Sequence, residues 1–479
     1  MTSTEAPSAS NARRAVLGVP AIAFLVVSAA SPLSVALGSA PLALLFGGPG
    51  AAVGFLVIGV VLALFAVAFL PMTRYVAAPG AFYSYIERGL GRASGNGAAL
   101  MTLLAYASLA VCGFALFGVY GSTVLTGVAG VATPWWIPAL VAVAIVVALG
   151  QLNIQVNARL LGVLLVIEMV VLAVISVSIL VQGGAMGLSL DAFAPQNVFT
   201  PTIAIAILFA FASCLGIEST VVYRAEARDP DRTIKRSLFV VIAFIALFHT
   251  FFLWLLVQAA GPDVMTVFGA DPAGAVLAIA DRYAGPWAST VLVLLVLVSI
   301  LASCLAFHNM LNRYAAKLAG DRLLPRAFAT ITKRGAPRVG GLTQGALAVV
   351  VIAVSLVLNL DPYLQTYILV STPGVVGMLV TMTLTALAAL VFFIRTSEVA
   401  RRRILIAVSA VSTALFSGLV LIVVQQLDYL TGLGPVANTL LVLPPVIAFA
   451  AGALVTVARS RNTALAPAPV ARASETIES

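Results

Sequence analysis

Apolar runs separated by short polar breaks dominate the chain. Twelve runs approach or exceed the roughly 20 apolar residues a membrane-crossing helix needs. They lie near 15–40, 50–76, 97–127, 135–155, 159–182, 200–223, 236–260, 285–318, 341–359, 364–394, 403–426 and 436–458. The pattern predicts an all-α integral membrane protein with twelve transmembrane helices. Composition agrees: 62% of the 479 residues are hydrophobic and 9% are charged, against about 25% charged in soluble domains.

The net charge of +9 would suit a nucleic-acid partner, but the basic residues are not interleaved with aromatics. They occupy short loops on one side. With the N-terminus inside, 25 of the 26 Lys and Arg residues fall on the inner face, and Arg282 alone lies outside. That asymmetry predicts cytoplasmic termini and an even number of spans; a cell-membrane location is expected. The polar stretch 1–14 ends in Arg13 and Arg14, and Ser28-Ala29-Ala30 imitates a signal cleavage site. The first run is long enough to span and eleven more follow, so it is expected to be an uncleaved helix. Residues 459–479 are rich in Ala, Pro and Ser and are expected to be a disordered inner tail.

The three cysteines, Cys112, Cys214 and Cys304, fall inside apolar runs without disulfide or metal-ligand spacing. They read as small core residues, with Cys214 and Cys304 also candidates for lining a pocket. No cofactor or metal motif occurs.

Two runs look interrupted. The first carries Pro32 at mid-span, flanked by Ser31 and Ser34, with Gly38 and Pro41 beyond. Proline removes a backbone donor and clashes with the preceding turn. The sixth holds Ser213, Cys214 and Gly216 at similar depth. The two are five helices apart and so run in opposite directions. Paired interruptions of this kind point to a transporter's binding site between inverted repeats; simple kinks are the alternative.

Three motifs at and beyond these breaks resemble the amino acid–polyamine–organocation superfamily of permeases. They are PMTRYVAAPGAFYSYIERGLG (Pro71 to Gly91), LGIESTVVYRAEARDPDRTIKRS (Leu215 to Ser237) and FHNMLNRYAAKLAGDRLLP (Phe307 to Pro325). The resemblance implies a LeuT-like five-plus-five inverted repeat, 15–182 and 200–394, with the pair 403–458 peripheral. It also implies alternating access around the two breaks. Physically, the amides near Leu33 and Ser34 suit a carboxylate, and the carbonyls from Phe211 to Cys214 suit an ammonium. The substrate-binding candidates are therefore Ala30, Ser31, Pro32, Leu33 and Ser34, together with Phe209, Phe211, Ala212, Ser213, Cys214 and Leu215. Two departures from the family pattern keep amines and polyamines open beside amino acids. Ala29-Ala30-Ser31-Pro32-Leu33-Ser34 replaces a Gly-Ser-Gly-like turn, and Ala212 stands where a gating aromatic is usual.

Glu168, Glu218, His249 and His308 are the ionisable residues inside the runs; such residues are costly in hydrocarbon and are functional candidates. Glu168 lies about nine residues into the fifth run, about 13 Å deep. By the resemblance, it is a proton carrier standing in for a sodium ion; a buried hydrogen-bonded carboxyl is the structural alternative. Glu218, one turn beyond the sixth-run break, is a hinge or gate candidate with Gly216 and Tyr106. His308 shares a helix face with Asn312 and Cys304 and is a second proton-coupling candidate or an interhelical partner. His249 reads as structural. Ser303 is a weak sodium candidate, because one hydroxyl beside a thiol is a thin set for a hard cation. The dense loop with Arg224, Glu226, Arg228, Asp229, Asp231, Arg232 and Arg236 suggests an inner gate.

The expected function is proton-coupled symport of an amino acid or related amine, with the lipid bilayer and no nucleic acid as partners. Substrate exchange, sodium coupling and a transporter-like sensor remain alternatives. Hydrolysis is disfavoured: Ser303 and His308 are about 140° apart around their helix, and no Gly-x-Ser-x-Gly occurs.

Overall fold

The structure is a computed structural model describing residues 17–76, 82–152, 158–397 and 399–464. Arg13, Arg14, the Pro79-Gly80 pair, Arg472 and the tail beyond residue 464 lie outside the described residues.

The first apolar run and the residues just after it form three helices end to end: α1 (Val19–Ala30), α2 (Pro32–Gly38) and α3 (Ala40–Gly47). Next comes α4 (Ala51–Phe69), prolonged by a 3-10 turn to Arg74. A short α5 (Tyr83–Leu90) leads into α6 (Arg92–Ala129), and then α7 (Trp136–Gln151) and α8 (Ala158–Gln182). The middle of the chain forms α9 (Pro195–Val198), α10 (Ile203–Ser213), α11 (Pro230–Ala260), α12 (Val264–Ala270) and α13 (Pro272–Ala284). The remainder forms α14 (Trp287–Gly320), α15 (Arg338–Val357), α16 (Ile368–Arg395), α17 (Arg402–Gln425), α18 (Leu427–Thr431) and α19 (Pro435–Ala464).

Every predicted run holds a helix, and ten described spans are long and apolar enough to cross a membrane, or eleven if α12 and α13 count as one bent span. By that measure α7 and α10 are too short, α10 because its run is interrupted at Ser213. The predicted loop between the seventh and eighth runs instead folds as α12 and α13, which meet at 114°. Asp271 caps the second by accepting from the Gly274 amide at 3.0 Å, with Pro272 in the first turn where its missing donor costs nothing. The outer faces are apolar too: Val60, Val163, Leu247 and Leu440 are each more than half exposed. Helices apolar on all sides belong in lipid, so the protein is a multi-pass membrane protein.

Small residues bring the interrupted helices together. A Cβ on Gly47 would lie 2.5 Å from the Ala206 Cβ, and one on Gly54 would lie 3.2 Å from the Ala206 backbone. Both α3 and α4 thus press on α10 at one alanine. Close small-residue packing is what draws helices together in lipid, where burial gives no driving force. Gly47→Leu should overpack this contact at a cost of about 1–3 kcal/mol and lower the thermal unfolding midpoint of the purified protein. An unchanged midpoint would contradict the approach described.

Candidate functional site

The first break follows from Pro32. A residue before proline is disfavoured in the helical region, and Ser31 leaves it, adopting φ 50°, ψ 75° between α1 and α2. The second follows from Gly216. The chain leaves α10 after Ser213, turns, and passes Gly216 at φ 108° into a 3-10 helix, Ile217–Glu226. A non-glycine side chain would be strained at that φ.

The two breaks face one cavity of about 150 Å³. Ala30, Ser31 and Ser34 line it from the first, and Phe209, Ala212, Ser213 and Leu215 from the second. The far wall comes from α6 and α14, with Cys112, Gly113, Ser303, Cys304 and Phe307, and Tyr367 and Thr372 close another side. Ser39 joins the two interrupted runs through a 2.8 Å hydroxyl contact with Ser213. Pro32, Leu33, Phe211 and Cys214 are buried but are not among the lining residues. Phe211 turns to α17, edge-on to Phe416 at 6.3 Å. Ser39, Cys112, Gly113, Tyr367 and Thr372 were invisible to the sequence reading, since nothing along the chain marks which face of an intact helix meets a broken one.

Glu168 lies in a second, smaller cavity of about 10 Å³, between α1, α8 and α14, with Ser28 and Ser299 in its wall. That is about the room of one water. The carboxyl is buried, with the Ser299 hydroxyl and the Leu33 backbone amide within its electrostatic reach. Ser299 in turn meets the Ser31 hydroxyl, which donates to Ser34 at 2.7 Å. A line of neighbouring polar groups therefore runs from Glu168 to the wall of the larger cavity.

Glu218 lies below the larger cavity. Its Oε1 accepts from the Tyr106 hydroxyl at 2.6 Å and its Oε2 from the Gly216 amide at 2.9 Å. Tyr106 packs at 6.2 Å against Phe307 of the cavity wall. The three hinge or gate candidates are thus brought into one clasp. Beyond it, Asp231 bridges Arg224 at 2.6 Å and Arg74 at 3.0 Å. The Arg228 amide donates to the Leu17 carbonyl at 3.0 Å, so the start of α1 is tied to the same end.

His308 does not join the Glu168 group. It faces α7 and α15, where Cβ atoms on Gly150 and Gly341 would lie 2.5 and 3.0 Å from its ring, with Gln344 beside it. His249 is stacked at 5.2 Å on Phe55 and bonded at 2.8 Å to the Ile245 carbonyl of its own helix. The Pro32 carbonyl lies within its electrostatic reach but outside hydrogen-bond geometry.

The family model described as amino acid permease matches residues 17–452. A search of curated proteins finds no significant match. Among solved structures, a manganese transporter of Eremococcus coleocola, bound to an aromatic bis-isothiourea compound, superposes with a TM-score of 0.62. The two share 13% identity over 95% of this chain and 99% of that one. A histidine mutant of that transporter superposes with a TM-score of 0.58 at 14% identity, over 93% and 94% of the two chains. At such identities the likeness is one of fold.

Tyr106→Phe should leave one buried oxygen of Glu218 without its donor, at a cost of about 1–3 kcal/mol. In a double-mutant cycle with Glu218→Gln, thermal unfolding should give a coupling of at least about 0.5 kcal/mol. Additive losses would mean that the clasp does not form.

Proposed function

Since the chain belongs to the amino acid permease family and is a membrane permease rather than an enzyme, we propose that it carries an amino acid or related amine by proton-coupled symport. The observation that carries the reading is the polar chain Glu168–Ser299–Ser31–Ser34, which joins a buried carboxyl to the cavity between the breaks. A buried carboxyl is costly when ionised and cheaper when neutral. When ionised, Glu168 would attract the Leu33 amide and the Ser299 hydroxyl within its reach, holding α2 against α8 and α14. Once protonated, it has a hydrogen to donate and a weaker hold on the amide. Loading the proton thus changes what Ser31 and Ser34 can offer a ligand, which is the coupling a symporter requires.

The remaining expectations fit this reading. The repeats 15–182 and 200–394 each begin with an interrupted run, and the pair 403–458 flanks them. The end bearing Arg74, Arg224 and Asp231 is assigned to the cytoplasm of a cell membrane, with both termini there. Alternating access would then require parting two contacts on that side: the Tyr106–Glu218 clasp and the Leu17–Arg228 tie. Sodium is the weaker coupling ion, because Ser303 lines the larger cavity whereas Glu168 occupies the smaller one. Manganese, named for the structural neighbours, suits the larger cavity less. It favours carboxylate, carbonyl and water oxygens, and no Asp, Glu or His is among the lining residues.

Purified protein should be stabilised thermally by one or more amino acids or amines, and reconstituted uptake of that compound should rise with an inward proton gradient. Glu168→Gln should remove the gradient dependence while keeping counterflow of the substrate. Full gradient dependence in that variant would exclude Glu168 as the carrier, and counterflow alone in the native protein would indicate an exchanger.

A further inference from the structure

The larger cavity has a chemical bias that narrows the substrate. Its polar lining consists of hydroxyls and thiols, and no lining residue carries a formal charge. The nearby carboxyls lie outside the lining and have other polar neighbours: Glu168 has Ser299 and the Leu33 amide within reach, and Glu218 bonds to Tyr106 and the Gly216 amide. A ligand with net charge would therefore enter a low-dielectric site without a counter-ion, which is strongly unfavourable. A zwitterion brings its own compensation and needs only dipoles, such as the Ser31 and Ser34 hydroxyls and the backbone at the breaks.

Opposite the breaks, the wall is set by the meeting of α6 and α14. A Cβ on Gly113 would lie 2.7 Å from the Cys304 sulfur, so the absence of a side chain at Gly113 lets Cys304 sit back from the cavity. Both residues line it, beside Cys112, Leu116 and Ile300. Apart from the Ser303 hydroxyl on the same wall, that surface is apolar and polarizable, suited to hydrocarbon rather than to an ionised group.

Resting on the symport reading above, we propose that the substrate is a net-neutral amino acid with a small aliphatic side chain, whose size limit is set by Gly113 and Cys304. Polyamines and amino acids with charged side chains are excluded by the uncharged lining, and bulky ones by the α6–α14 wall.

The test is a thermal-shift and reconstituted-uptake panel of glycine, alanine, valine, leucine, phenylalanine, arginine, glutamate and putrescine on the full-length protein. Alanine, valine or leucine should bind best, with arginine, glutamate and putrescine at least about 30-fold weaker; that threshold is set well below the about 10⁴-fold by which unpaired buried polar groups can discriminate. Putrescine, arginine or glutamate binding as well as the best aliphatic compound would overturn this proposal and leave the transport reading standing. No binding by any compound would overturn both. Gly113→Ala should lower the leucine-to-alanine affinity ratio about tenfold, the scale of one methylene in a pocket, and Cys304→Ala should raise it. Should Gly113→Ala fail to fold, Cys304→Ala decides alone. An unchanged ratio in the folded variants would show that these residues do not set the limit.

Discussion

Inside a bilayer every backbone amide and carbonyl needs a partner within the protein, because no lipid atom can supply one. Two interrupted helices break that rule at mid-depth, and much of the structure around them repairs it. Pro41 has no N–H to give to the Leu37 carbonyl, and the Tyr120 hydroxyl supplies one at 2.7 Å, with Tyr363 adding another at 3.1 Å. The Gly216 amide goes to Glu218, and Glu168 stands within electrostatic reach of the Leu33 amide. Polar side chains that would be expensive alone in hydrocarbon are here the partners of a backbone that would be equally expensive without them.

Repair and function use the same atoms. The groups that satisfy the broken backbone line the two cavities or stand next to them, so each change of partner alters the geometry of the larger cavity. Glu168 is the clearest case: its polar neighbours are a main-chain amide at one break and a serine that touches Ser31. The Tyr106–Glu218 clasp plays the corresponding part at the second break, linking α6 to the turn after α10.

Much of this was legible in the sequence. Pro32, Gly216 and the placement of Glu168 and Glu218 identify the breaks and the buried carboxyls, because proline, glycine and charge have few other reasons to lie deep in an apolar run. What could not be read is rotation about the helix axis. Phe211 and Ala212 are neighbours in sequence, yet one packs on Phe416 and the other lines the cavity. His308 is four residues from Cys304 but turns toward Gly150 and Gly341. In a helix apolar on every side, periodicity gives no phase. Ser299 was missed for a related reason: one of several hydroxyls in a 34-residue, largely apolar helix has no signal until its partners are known. The α12–α13 pair was missed because both helices are too short and amphipathic to register as spans.

The left-handed residue Ser31 divides one transmembrane run between two sets of neighbours. Above it, the carbonyl end of α2 is held by tyrosines from α6 and from the segment before α16. Below it, α1 is fastened at Leu17 to the chain near Ala227 and Arg228, and it packs along α11. A single polypeptide thread is thus clamped at its two ends to separate parts of the bundle. Ser31 keeps helical bonds on both sides, its amide to the Val27 carbonyl at 3.1 Å and its carbonyl to the Val35 amide at 3.2 Å, so its left-handed torsions are where any relative rotation of those parts must be absorbed.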